Sequence, residues 1–210
     1  TFRKLIKSMK ILKKNIYTIF FINLLSAQDH WETAIFASDE WKYIVPVAEP
    51  QSNWNEINFD DADWNSSQGG FGYGDGDDGT IIEPAISVYF RKSFSVLDLS
   101  KLSCAILSAD YDDGYIAYIN GTEISRSYNL PEPGTFVPFD ETTYYDHEAS
   151  LYNGGFPENI FLDSLLISSL LLNGDNVLAV QAHNVGPNSS DMSGNFFLTF
   201  GITDESEFFS

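Results

Sequence analysis

Residues 107 to 126, LSADYDDGYIAYINGTEISR, read as two strands and a tight turn, and they decide the fold prediction. Up to Tyr111, apolar and other side chains alternate with a period of two, which places successive side chains on opposite faces of a strand. Residues 112 to 114 are turn formers, and a second alternating run follows them and ends at Asn120-Gly121. Because Asn and Gly tolerate positive φ, this pair favours the type I′ turn of a hairpin. The sequence therefore predicts that residues 122 to 127 form the returning arm.

The rest of the chain has the composition of an all-β protein. Aromatic residues make up 15% of the 210, there are 15 Gly and 8 Pro, and no long helical period is visible. Further strands are predicted at residues 86 to 96, 176 to 184 and 196 to 202, with a strand or a short helix in 159 to 172. We predict a jelly-roll β-sandwich of two antiparallel sheets with long loops, within a single module at 29 to 203. Residues 204 to 210 read as the start of a linker or a cut edge.

Residues 1 to 28 have the layout of a secretory signal peptide. Six basic residues precede the apolar run 16 to 25, and Ser26-Ala27-Gln28 supplies small residues for cleavage. A membrane anchor is the alternative, but it requires about 20 apolar residues. We therefore expect export, with no membrane span after removal of the leader.

The mature chain is strongly acidic. Without residues 1 to 28 it has five basic residues against 30 acidic ones, a net charge of −25. Such a surface repels phosphate backbones and argues against nucleic acid as a partner. Solubility of a secreted protein is the simpler explanation of this acidity, and divalent cations are the partners that the charge would attract most readily. The one cysteine, Cys104, cannot form an internal disulfide.

Several segments resemble a known kind of module. YDDGYIAYINGTEISR resembles the hairpin region of galactose-binding-like jelly-roll domains, such as the sugar-binding domain of β-galactosidase-type glycoside hydrolases. In order, WKYIVPVAEPQSNWNEINFDDADWNSSQGGFGYGDGDDGTII, FRKSFSV, NGDNVLAVQAHN and SSD resemble the N-terminal module of secreted bacterial proteins with a spore-coat-H-like (CotH) kinase domain. The resemblance covers residues 41 to 202. It implies a secreted or cell-surface location, a carbohydrate ligand and a following domain of the same polypeptide.

Two sets of side chains are candidates for ligand binding. The first comprises loop aromatics that could stack on a sugar or, alternatively, pin a long loop onto the core: Trp54, Trp64 and Tyr73. The second comprises polar residues in the turn and in the segment that resembles the family's HN and SSD motifs: Asp112, Asp113, Asn184 and Asp191. For His183 and Ser190 in the same segment, as for these four, side chain to backbone bonds at strand ends are the structural alternative.

The loop GGFGYGDGDDG at residues 69 to 79 is a candidate calcium site. Asp75, Asp77 and Asp78 place three carboxylates in four positions, and like charges so close repel unless a cation or open water relieves them. The EF-hand pattern fails because Gly79 and Ile86 stand at ligand positions. The dinucleotide pattern Gly74-x-Gly76-x-x-Gly79 fails because the loop is acidic and no helix follows it. A structural calcium ion and a solvated acidic loop remain the two possibilities.

No catalytic constellation is recognisable. The chain has no Gly-x-Ser-x-Gly elbow, no kinase motif and no zinc-binding spacing among His30, His147 and His183. Three hypotheses follow. The first is a non-catalytic binding module directed at an extracellular glycan or cell-wall polysaccharide, and the second is a structural spacer that packs against a following catalytic domain. The third is a glycoside hydrolase that uses two acidic residues.

Overall fold

Two sheets of six strands each form the described part of the protein. The computed structural model describes residues 30–76, 78–204 and 207–209, so the predicted leader and Asp77 lie outside the described residues. The strands are β1 (His30–Ile35), β2 (Glu40–Ile44), β3 (Asn65–Gln68), β4 (Phe71–Tyr73), β5 (Thr80–Ile81), β6 (Ser87–Val96), β7 (Leu102–Asp112), β8 (Gly114–Ile119), β9 (Thr122–Arg126), β10 (Glu158–Leu162), β11 (Gly174–His183) and β12 (Met192–Ile202).

Neighbouring strands are antiparallel in both sheets except for the short parallel pair β4 and β5. The first sheet has the order β10-β7-β12-β4-β5, and β1 also pairs with β12. The second sheet has the order β3-β2-β6-β11-β8-β9. Sequence neighbours are often far apart in this order, so the two sheets must be assembled through long-range contacts.

The core lies between the sheets and is built from alternate residues. Phe196, Leu198, Phe200 and Ile202 of β12 are all buried, as their predicted common face requires. The second sheet faces them, and the ring of Phe90 lies 5.7 Å from that of Phe196. The predicted all-β sandwich is therefore confirmed.

Residues 107 to 126, from which the fold was predicted, contribute strands to both sheets. β7 belongs to the first sheet and β8 to the second, so residues 112 to 114 carry the chain across the sandwich. The hairpin lies one strand later, between β8 and β9. Asn120 and Gly121 have φ values of 49° and 88°, which are the positive values that a type I′ turn requires. Asn120 Oδ1 also accepts a hydrogen bond from the Val177 backbone N–H at 2.9 Å.

Residues 159 to 172 contain a strand and a helix in succession. β10 ends at Leu162, and helix α1 covers Ser164–Leu170. Asp163 is the N-cap, and its carboxylate accepts a hydrogen bond from the Leu166 backbone N–H at 2.9 Å. Among the residues that the structure describes, no helix is long and apolar enough to cross a membrane.

Trp54 and Trp64 are buried in a second apolar cluster with Tyr89 and Ala179, which contradicts the sugar-stacking role and agrees with the alternative that they pin their loop onto the fold. Their side chains are 5% and 8% exposed, and the Trp54 ring lies 4.6 Å from that of Tyr89 on β6. Arg91 holds their loop in place, since its guanidinium contacts the Asp61 carboxylate at 2.8 Å and the Glu56 carbonyl at 3.0 Å. Spacing along the sequence did not reveal that these rings cover a sheet face.

The Asn120-Gly121 turn gives a testable prediction. Gly121→Val places a β-branched residue at a positive φ, and its Cβ would lie 3.0 Å from Glu56 Cγ, so we expect a loss of about 1 to 3 kcal/mol in the free energy of unfolding. Urea denaturation measures it. Gly186→Val is the control, because a Cβ at Gly186 meets no atom within 4 Å and φ there is not left-handed. Equal losses in the two variants would contradict the turn assignment.

Candidate functional site

Four of the predicted polar residues meet at one end of the sandwich. β7 ends at Asp112, which pairs with Ser193 at the start of β12, and Asp191 directly precedes that strand. β11 ends beside the start of β8, which places Asn184 next to Asp113. Strand pairing in both sheets thus brings Asp112, Asp113, Asn184 and Asp191 together from distant parts of the sequence.

Two carboxylates hold the loop of residues 146 to 153, hereafter the 146–153 loop. Asp113 Oδ1 accepts a hydrogen bond from the His147 backbone N–H at 2.8 Å. The Asp110 carboxylate accepts from the backbone N–H groups of Ser150 and Leu151 at 2.7 and 3.1 Å. The His147 ring stacks on that of Tyr111 with centroids 4.1 Å apart. This irregular loop therefore has a fixed position against β7.

Exposed tyrosines lie beside the 146–153 loop. Asn129, which is fully buried, donates through Nδ2 to the carbonyls of Asp113 and Tyr145 at 3.2 and 2.6 Å. The backbone carbonyl of Asn129 accepts a hydrogen bond from the Tyr144 N–H at 2.8 Å. Tyr128 and Tyr145 are 69% and 64% exposed, and the Tyr128 ring lies 6.5 Å from that of His147. Hydrogen bonds between Asn129 and the backbone of Tyr144 and Tyr145 therefore hold in place a segment whose aromatic rings face solvent.

Three carboxylates converge next to these tyrosines, and we call Asp112, Glu148 and Asp191 the acidic triad. One oxygen from each lies within 4.8 Å of the others. Asp112 is 6% exposed, whereas Asp191 is half-buried and Glu148 is exposed. Burial, with the charges of Asp113, Asp191 and Glu148, raises the pKa of Asp112 to about 8. This arrangement could hold a metal ion or hydrogen-bond donors of a ligand.

Asn184 and Tyr73 have structural contacts. Asn184 Nδ2 donates to the Tyr73 hydroxyl at 2.9 Å and to the Asp191 carbonyl at 3.1 Å, and both Asn184 and Tyr73 are buried. The sugar-stacking role predicted for Tyr73 is wrong, because its ring packs in the core. The amide of Asn184 fixes the backbone of Asp191 and so positions one member of the acidic triad.

The described part of the acidic loop folds back onto β4 and β12. Asp75 Oδ2 accepts a hydrogen bond from Ser193 Oγ at 3.1 Å. Asp78 Oδ1 lies 2.2 Å from the position that a Cβ on Gly72 would occupy, so that side chain covers β4. With Asp77 outside the described residues, calcium binding by Asp75, Asp77 and Asp78 stays a prediction. Within the described residues, the carboxylates that converge are those of the acidic triad.

Asp110 and Glu148 are functional candidates that the sequence did not reveal. Asp110 is an outward position of β7, and only the structure shows that it accepts two loop N–H groups. Glu148 lies in Asp-His-Glu, an acidic run within an irregular segment. That run was the available signal, but no spacing rule connects it with Asp112 or Asp191.

His183 is buried beneath this end of the sandwich. Its Nδ1 donates to the Glu141 carbonyl at 2.8 Å, and its Nε2 has no hydrogen-bond partner among the described residues. Burial lowers the pKa of the His183 imidazole to about 4. The residue therefore supports the strand end as a neutral side chain.

Comparisons with known proteins support the fold. The sequence matches no protein-family model and no curated protein. A beta-glucuronidase from glycoside hydrolase family 2 has a similar structure, with a TM-score of 0.51 and 18% identity over 81% of this chain and 18% of that chain. A calcium-binding mutant of Bacteroides uniformis beta-glucuronidase 2 gives a TM-score of 0.50 with the same identity and coverage. The likeness is to one β-sandwich within much longer enzymes.

The burial of His183 predicts that this residue contributes to a loss of stability at acidic pH. Between pH 6.5 and about 4 the unfolded chain binds a proton at His183 that the folded chain does not, so stability falls as the pH is lowered through this window, by up to about 1.4 kcal/mol per unit. In His183→Asn the amide can replace the Nδ1 donor, and this component is absent. Urea denaturation from pH 7.5 to 4 measures it.

The control is the difference in the free energy of unfolding between the wild type and His183→Asn at pH 7.5. At that pH the difference contains only the effect of the substitution on packing. We expect the wild type to lose of the order of 3 kcal/mol more than the variant by pH 4. Parallel stability curves would contradict the prediction.

Proposed function

We propose that this chain is a non-catalytic, carbohydrate-directed binding module of a larger extracellular protein. The observation that carries the proposal is the group of exposed tyrosines held beside buried carboxylates at one end of the sandwich. The ligand in this proposal is an extracellular glycan or cell-wall polysaccharide. Export rests on the predicted leader, and the association with a CotH-type kinase domain rests on the sequence resemblance.

The chemistry of the tyrosines fits a sugar ligand. An aromatic face is electron-rich, so the C–H groups on one face of a pyranose ring can pack against it. Tyr128 and Tyr145 offer such surfaces, and Asn129 fixes the backbone of Tyr145. Glu148 supplies an exposed acceptor for sugar hydroxyl groups on the adjoining loop. Stacking rings with a few polar groups at the rim is a typical composition for such a site.

The fold is consistent with a carbohydrate-related role. The β-sandwich is shared with glycoside hydrolase family 2 enzymes, of which this chain matches 18%. That share corresponds to one module of a longer chain. We therefore assign the module a binding role and leave any catalysis to other parts of the protein.

A hydrolase activity within this module is the less favoured alternative. Acid-base hydrolysis of a glycoside requires two carboxylates that both reach the substrate. Asp112 is buried and faces two further acids, which makes it a poor partner for a large substrate. Turnover of nitrophenyl glycosides by the isolated chain would establish this alternative.

A structural spacer is the second candidate function. Phe156 and Phe161 are exposed large apolar side chains in and before β10. A surface that another domain covers usually contains exposed apolar side chains of this kind. In that case the module packs against a following domain and has no ligand of its own.

Glycan binding separates the first two candidates. We expect the chain to bind a subset of an array of bacterial and plant polysaccharides. Tyr145→Ala and Tyr128→Ala should each weaken binding about tenfold, since a lost stacking contact costs about 1 to 1.5 kcal/mol. Isothermal titration with the best glycan from the array measures the affinities.

The control variant is Phe36→Ala, because Phe36 is an exposed aromatic residue that lies with Lys92 and Phe94, outside the proposed site. It should keep the wild-type affinity. Absence of binding to any glycan by the folded wild type would favour the spacer. Equal weakening in all three variants would contradict the location of the site.

A further inference from the structure

The acidic triad joins three separate parts of the fold. Asp112 ends β7, Asp191 directly precedes β12, and Glu148 belongs to the 146–153 loop. An ion bound by all three would connect the loop beside the tyrosines to the first sheet. The triad needs more than its acidity to be a site, since exposed acidic groups often lie close together without an ion.

The Asp112 carboxylate is buried without a donor. It is 6% exposed, and no hydrogen-bond donor from the described residues contacts it. Its neighbours differ, because Asp110 and Asp113 each accept two backbone N–H bonds. The group in hydrogen-bond range is the Asp113 carboxylate, which is an acceptor when ionised. An ionised carboxylate that is buried without donors carries a large desolvation cost unless a cation accompanies it, and the other way to relieve that cost is protonation.

Within the described residues, no Lys or Arg side chain contacts the acidic triad. After residue 29 there are five Lys and Arg residues, and each contacts a different partner elsewhere: Lys42 with the Trp64 carbonyl, Arg91 with Asp61, Lys92 with Asp39, Lys101 with Asp204, and Arg126 with Glu123. His147 Nε2 is 3.5 Å from Glu158. Whenever Asp112, Glu148 and Asp191 are ionised together, the cation that balances their charge therefore comes from solution.

We propose that Asp112, Glu148 and Asp191 form a calcium site. All the ligands are carboxylate oxygens, and hard cations prefer such ligands, whereas zinc sites in proteins usually include His or Cys. Calcium–oxygen distances of about 2.3 to 2.6 Å place opposite ligands about 4.6 to 5.2 Å apart. Oxygens within 4.8 Å of one another fit this span. The exposed side at Glu148 leaves room for the water molecules that complete the coordination of calcium.

This site differs from the one predicted at Asp75, Asp77 and Asp78. The bound ion would hold Glu148 against the ends of β7 and β12 and so stiffen the 146–153 loop. It does not depend on glycan binding, and its test uses no glycan.

The test is titration of the chelator-treated full chain with calcium chloride, followed by calorimetry and by melting curves in EDTA and in millimolar calcium. We expect saturable binding near one ion per chain and a higher melting temperature in calcium. Glu148→Gln should weaken binding at least tenfold, and its exposed position makes it compatible with folding. Asp191→Asn is the second variant, with the same expectation.

Asp146→Asn is the matched control, since it removes one charge from the same loop at an exposed residue outside the triad. It should keep the wild-type affinity within about threefold, which separates ligation from general electrostatic attraction. Asp75→Asn combined with Asp77→Asn should also leave the affinity unchanged.

Three results would overturn the proposal. The first is equal melting curves and no heat of binding for the wild type. The second is wild-type affinity in both Glu148→Gln and Asp191→Asn, and the third is loss of binding in the Asp75 and Asp77 double variant alone. Magnesium binding as tight as calcium binding would overturn the choice of ion.

Discussion

The buried carboxylate of Asp113 accepts backbone N–H groups from two separate loops, and the polar end of the sandwich depends on that contact. His147 donates at 2.8 Å and Val185 at 2.6 Å. A buried charge is costly unless hydrogen bonds compensate it, so the two loops cannot move away without exposing this cost. Asn129 adds a bond to the Asp113 carbonyl. The position of the 146–153 loop, and with it that of Glu148, follows from these bonds.

The scarcity of basic residues shapes the rest of the molecule. Arg91 lies fully within the fold, where its guanidinium joins Asp61 and two loop carbonyls and lies 5.1 Å from the centre of the Phe59 ring. One cation thus organises the loop that carries Trp54 and Trp64. Many of the excess acids that the structure describes are exposed, and the buried Asp110 and Asp113 are satisfied by backbone N–H groups. The acidic triad is the place in the described chain where neither solution holds for a buried member.

Local sequence patterns were sufficient to predict the hairpin and the long strands β6, β7, β11 and β12, but they did not predict the short strands β3, β4 and β5. Alternation along β7 and β12 and the Asn120-Gly121 pair depend on neighbours in the sequence, and the structure agrees with them. The same patterns did not distinguish Trp54 on a sheet face from a ring on a loop surface. Burial depends on which strand lies beneath, and that is set by long-range pairing.

The candidate site was predictable only in part for the same reason. Asp112 and Asp113 were predicted because they stand in a turn, whereas Asn184 and Asp191 were predicted because their segment resembles the HN and SSD motifs of a known module. Glu148 and Asn129 lie in long loops, and their role depends on a register that pairs β7 with β12 and β11 with β8. No local signal contains that register.

The bonds to Asp110 and Asp113 also affect how the loops exchange hydrogen with solvent. Amide protons in irregular segments usually exchange quickly because water replaces their partners easily. The N–H groups of His147, Ser150, Leu151 and Val185 instead donate to buried carboxylates. We therefore expect their protons to exchange only when this end of the sandwich opens. By this reasoning, segments that look like surface loops should be among the slowly exchanging parts of the molecule.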